Sequence, residues 1–175
     1  MNDKELASMI QGDINLILKG LDDFKKEEDG NLAKLREESI IDPVRLFRHS
    51  LESLHGNVEE FVKYPDSKKA LKAITLLSFI TAQPDAVGAR LSIIASQVGI
   101  MPYTQQAAFS ISTTWNSFKQ KIQSVIQSIS SALWSLISSY LNLKEWSVKG
   151  TVSTPAITSL FGISGSVEIQ FTFEK

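Results

Sequence analysis

From Tyr103 to Leu143 the chain contains neither proline nor glycine, and Ile111, Trp115, Phe118, Ile122, Val125 and Ile129 fall 4-3-4-3-4 apart. Strand patterns repeat every second residue, so this spacing selects a helix, and the alternation of fours and threes makes its apolar side a heptad seam. The seam drifts onward to Leu133, Leu136, Tyr140 and Leu143. A helix of that length spans roughly 60 Å at ~1.5 Å per residue. Whatever else the chain does, it must cover such a seam.

Shorter helical patterns precede it. Leu6, Ile10, Ile14, Ile17, Leu21 and Phe24 recur at helical spacing between charges and predict a helix from about Asp3 to Lys26, ended by Glu27 to Asn31. A short helical piece with Leu32 and Leu35 follows. Asp42-Pro43 reads as an N-cap with proline at the first helical position, opening a helix with Val44, Phe47, Leu51, Leu54, Val58 and Phe61 on one side. Tyr64-Pro65 breaks it, and Asp66 or Ser67 caps the next, from Lys68 to Ala82, whose apolar residues cover most of its circumference. Gln83-Pro84-Asp85 repeats the break and cap before a helix from Ala86 to Val98, and Gly99 suits the left-handed residue at its end.

After Leu143 the period changes. Trp146, Val148, Gly150 and Val152 alternate with polar residues, as do Val167, Ile169, Phe171 and Phe173. The expected fold is mainly α: a multi-helix bundle over 1–144 with one long C-terminal helix, then a small antiparallel β-hairpin over 145–175. A two-stranded hairpin is marginal alone in water, so it is expected to pack on the helices or on a neighbouring chain.

Charge is distributed unevenly. Residues 1–72 carry 12 basic and 15 acidic side chains, whereas residues 73–144 carry only Asp85, Arg90, Lys119, Lys121 and Lys144. With a formal net charge of -1, the chain has no overall attraction to nucleic acid or anionic lipid. Cysteine is absent, which excludes disulfides and thiol nucleophiles and fits a reducing compartment. Asp3, Lys4 and Glu5 interrupt any secretory signal at the N-terminus, and no stretch reaches the ~20 apolar residues of a spanning helix. The cytoplasm is the expected location.

Motifs of chemistry are lacking. His49 and His55 lie on different faces of one helix and belong to no metal-ligand array, so no metal or other cofactor is expected. Phosphate-binding glycine loops are missing, and Gly162-Ile163-Ser164-Gly165 reads as turn chemistry before the last strand. The acidic pairs Asp22-Asp23, Glu37-Glu38 and Glu59-Glu60 read as solvated helix faces, and no catalytic residue is assigned.

The segment from Leu91 to Thr104 resembles the helix-turn-helix of bacterial repressors. Ala95 matches the small residue of its first helix, Gly99 the turn, Ile100 the buried residue after it, and Tyr103-Thr104 the start of a recognition helix. The resemblance covers some 20 residues and implies a second helix that reads base edges in the major groove. Gln105 stands where that family has an apolar residue, and no Lys or Arg between Arg90 and Lys119 is available for phosphates. Nucleic acid is therefore not the expected partner.

The function expected is non-enzymatic: self-assembly or protein binding through the uncharged seam Ile111, Trp115, Phe118, Ile122, Val125, Ile129 and Leu136. Interface cores are depleted in charge and enriched in aromatics. The alternative is a membrane-active helical effector, with Trp134 and Tyr140 as interfacial anchors. Helix-turn-helix DNA binding stands third.

Overall fold

The computed structural model describes residues 1–35, 38–97, 102–141, 143–153 and 164–173, with side chains over 1–35, 42–96, 104–138 and 140–141. Four long helices dominate it: α1 (Asp3–Leu35), α2 (Glu38–Lys63), α3 (Ser67–Gln97) and α4 (Pro102–Ile137), the last closing in a 3-10 turn, Ser138–Tyr140. Each helix packs on the two beside it in a closed ring, α1 on α2 and α4, α3 on α2 and α4. Brief links between consecutive helices make neighbours antiparallel. The mainly helical class read from the periodicity is the class observed.

Local chemistry fixes the helix starts. Asn2 Oδ1 accepts the Glu5 N–H at 2.9 Å while Glu5 Oε2 accepts the Asn2 N–H at 2.9 Å, a reciprocal capping box. Asp66 Oδ1 caps α3 by accepting the Lys69 N–H at 2.8 Å. Lys69 Nζ bonds both Asp66 Oδ2 at 2.5 Å and the Tyr64 carbonyl at 2.8 Å. The Lys69 side chain, and then its backbone N–H, hold the Asp66 carboxyl below its ordinary range. Asn57, buried on α2, donates to the Lys69 carbonyl at 3.0 Å and ties the α2–α3 corner together.

Three expected breaks are not there. The first helix continues through Glu27–Asn31 to Leu35, because Glu28 lies on the buried stripe that follows Leu21 and Phe24. The second begins at Glu38, so Asp42 is not its cap, and Pro43 sits within its early turns. There, as the sixth residue of the helix, proline gives up the bond to the residue 39 carbonyl and crowds it, the ordinary penalty of an interior proline. The third runs through Pro84 as one helix of 31 residues. An interior proline costs ~3 kcal/mol, but Leu77, Ile80, Val87, Leu91 and Ile94 on both sides of it are buried. Burial of such side chains is worth about 1.5–3 kcal/mol each, so packing outweighs the local penalty.

Continuity of α1 has a consequence that can be measured. A Cβ on Gly12, Gly30 or Gly56 would meet nothing within 4 Å. Alanine at each is expected to stabilise the protein by about 0.5–1 kcal/mol, since glycine loses more backbone freedom on entering a helix. Urea denaturation of Gly30→Ala is the informative case. A gain places residue 30 inside a stable helix; a loss would restore the break at Glu27–Asn31.

Candidate functional site

The seam read from the sequence lies on the inward side of α4. Ile111, Trp115, Phe118, Ile122, Ile129 and Leu136 are buried in the single chain, and Val125 is half-buried against the same core. Helices over 3–26, 68–82 and 86–98, as the sequence predicts them, are each too short to cover a seam of roughly 60 Å. With α1 at 33 residues and α3 at 31, each roughly 45–50 Å long, that premise falls. The seam is used up within the bundle.

Trp115 is the centre of this packing. Its ring meets Phe24 edge-on at 5.1 Å between centroids and Phe118 at 5.2 Å. Its Nε1–H donates to the Pro84 carbonyl at 2.9 Å, and Gly88 leaves room beside the indole, where a Cβ would touch at 3.7 Å. One turn on, Lys119 Nζ pairs with Asp85 at 2.8 Å. The Gln83-Pro84-Asp85 segment is thus the seat of α4 on α3.

Between α1 and α4 two contacts differ from the surrounding aliphatic packing. Phe118 lies over Gly20, where a Cβ would come within 2.6 Å of the ring. Eight residues further along α1, Glu28 meets Ser110, eight back along α4, and Thr114, four back. Glu28 is 1% exposed. Its Oε1 accepts from Ser110 Oγ at 3.0 Å and Thr114 Oγ1 at 2.5 Å, and its Oε2 from Asn31 Nδ2 at 2.8 Å. Among the described residues no ion pair to Glu28 is present. Sequence reading took Glu28 for part of a helix terminator. The signal that could have found it is spacing, since Glu28 falls four residues after Phe24 and seven before Leu35.

The outward side of α4 has a different character. From Gln105 to Ser135 its exposed side chains are Gln, Ser, Thr and Asn, with one exposed charge, Lys121, beside half-exposed Lys119 paired with Asp85, and one aromatic, Phe109, 73% exposed. The exposed side of α1 by contrast includes Lys19, Asp22, Asp23, Lys25 and Lys26. The α1 stripe that holds Gly20 continues through Leu16, 61% exposed, and half-buried Asp13, whose Oδ2 has no hydrogen-bond partner, to Met9. At the antiparallel register of the Gly20–Phe118 contact, Leu16 falls level with Ile122 and Met9 with Ile129.

The remaining candidates are placed as follows. His49 is exposed and His55 half-buried. Asp22 and Asp23 are exposed, and Asp22 pairs with Arg48. Glu59 pairs with Lys63 at 2.6 Å, and that hydrogen bond holds its carboxyl below the ordinary range. Among the described residues no group of His, Asp and Glu is gathered for a metal, and no helix is long and apolar enough to cross a membrane. Of the repressor-like segment, residues 98–101, with the Gly99 turn, lie outside the described residues. The helix that follows is 36 residues long and packs along α1 and α3. Comparison with known protein families, curated proteins and solved structures finds no match.

Proposed function

We propose that this protein is a non-enzymatic helical assembly module in the cytoplasm whose binding surface is the outward, nearly uncharged face of α4 with the adjoining Met9–Leu16 stripe of α1. The observation that carries the reading is how little charge lies between Gln105 and Ser135 on a 36-residue helix: exposed Lys121, and half-exposed Lys119, which Asp85 neutralises. Surfaces kept in water by charge are the norm, and depletion of charge together with exposed aromatic and aliphatic side chains is the compositional mark of an interface core. A second copy of the chain is the partner proposed, because two such faces meet with almost no like-charge repulsion.

The same reading gives residues 145–175 a hairpin set on the helices. It is supported by the antiparallel backbone pairing of β1 (Leu143–Ser153) with β2 (Ser164–Phe173), Trp146 opposite Phe171 and Val148 opposite Ile169, and by the contacts of both strands with α3.

Light scattering coupled to size exclusion tests the assembly. The wild type is expected to exceed the 19.4 kDa of one chain. Ser117→Glu with Ser124→Glu, both exposed and seven residues apart on α4, places like charges across a self-paired face and is expected to give the monomer with helicity unchanged. A wild type that is monomeric at tens of micromolar, or a charged variant that assembles as before, overturns the proposal.

A further inference from the structure

We infer that the buried Glu28 carboxylate and its hydroxyl donors Ser110 and Thr114 select the pairing of α1 with α4, a role in choosing the structure rather than in strengthening it. The buried side chains that α4 presents, from Ala107 through Ile111, Trp115, Phe118 and Ile122 to Ile137, are all apolar. Apolar seams of heptad spacing tolerate exchange of neighbours and levels, because aliphatic contacts are not directional. A carboxylate in the core is directional. Its oxygens are satisfied here by Ser110 Oγ, Thr114 Oγ1 and Asn31 Nδ2 at 3.0, 2.5 and 2.8 Å, and any pairing that removes the two α4 hydroxyls strands a buried charge. Fixing register is the best-attested use of a buried polar group, and such groups are often neutral or costly for stability itself.

Two of the three buried polar side chains on the other helices, among the described residues, are already engaged: Ser50 donates to the Leu46 carbonyl of its own helix, and Asn57 to the Lys69 carbonyl. The third, Gln83 of α3, has an Oε1 without a hydrogen-bond partner and stands beside Pro84, where Trp115 seats α4 on α3. The Gly20–Phe118 contact, eight residues from Glu28 on α1 and eight from Ser110 on α4, needs the same antiparallel level, since the ring occupies the space a Cβ would fill. Two unlike devices thus agree on one alignment.

The absence of cysteine makes the alignment measurable. Spin labels on Asp23→Cys and Ser117→Cys, exposed sites on α1 and α4, diluted into an excess of unlabelled chain so that pairs between copies do not contribute, report the α1–α4 distance in the full chain. In the otherwise native chain one narrow distance is expected. Glu28→Leu with Ser110→Ala and Thr114→Val is expected to remain helical, with a urea midpoint at or above that of the parent, and to show a broadened or second distance. Glu28→Gln, whose amide oxygen still accepts from the hydroxyls, is expected to keep the single distance. A triple variant that retains one narrow distance overturns the inference. So does a triple variant that fails to fold, because the cluster would then be holding the bundle up rather than choosing its pairing.

Discussion

Replacing Trp115 with alanine is expected to destabilise the bundle by about 3–5 kcal/mol. The side chain has no exposed surface, so the whole indole is lost from the core and the space it leaves is walled by groups that cannot close over it. Phe24 and Phe118 stand at 5.1 and 5.2 Å from its ring, and each loses an aromatic partner worth about 0.5–1.5 kcal/mol beyond area. The Pro84 carbonyl also loses the indole N–H at 2.9 Å. Trp115→Phe separates these contributions. It keeps most of the apolar volume but not the donor, and is expected to cost about 1–3 kcal/mol. Urea unfolding followed by far-ultraviolet circular dichroism measures both. Equal losses for the two variants would show that packing around the ring contributes little and that the hydrogen bond to Pro84 dominates.

What the sequence reveals and what it hides divide along a physical line. Periodicity is a property of each helix alone, and it located the inward faces correctly: Leu6 to Phe24 on α1, Phe47 to Phe61 on α2 and Ile111 to Leu136 on α4 are buried where their spacing places them. Breaks are another matter. Glycine and proline weigh against a helix locally by ~1–3 kcal/mol and clustered like charges by about 0.2–0.5 kcal/mol per pair, and whether they end it depends on what packs on either side. At Tyr64-Pro65 nothing opposes the break, and α2 ends at Lys63. At Pro84 the flanking Ile80 and Val87 are buried on one continuous face, and α3 goes on.

The candidate site suffered from the same limit. Helices ending at Lys26 and Ala82 are too short to cover the α4 seam, and a seam so exposed reads as the interface. The longer helices cover it. The interface proposed instead lies on the opposite side of the same helix, where the signal was compositional: residues 73–144 hold only five charged side chains. That depletion was read as burial, but it extends to the exposed face of α4 as well. Glu28 was hidden for a further reason. Its partners Ser110 and Thr114 lie more than 80 residues away, and the one local mark that separates it from its solvated neighbours Glu27 and Asp29 is its spacing from Phe24 and Leu35, which has no meaning once the helix is ended at Glu27.

Ile122→Asp combined with Ile129→Asp is expected to unfold the single chain. Both side chains are buried inside the bundle, so each substitution removes about 1.5–3 kcal/mol of apolar burial and sets a carboxylate where the surrounding α1 and α4 side chains are aliphatic. An uncompensated buried charge costs about 3–5 kcal/mol. The two together approach or exceed the 5–15 kcal/mol that holds a typical domain folded. Far-ultraviolet circular dichroism of the double variant should then show loss of cooperative thermal unfolding, at every protein concentration tried. The comparison with Ser117→Glu and Ser124→Glu gives the experiment its force, since those sites are on the same helix but face outward. If the core pair stayed folded and merely ran as a smaller species, Ile122 and Ile129 would lie between chains, and α4 would have to leave its own bundle to put them there. If instead the core pair unfolds while the outward pair stays helical and dissociates, the inner face of α4 builds the fold and its outer face builds the assembly.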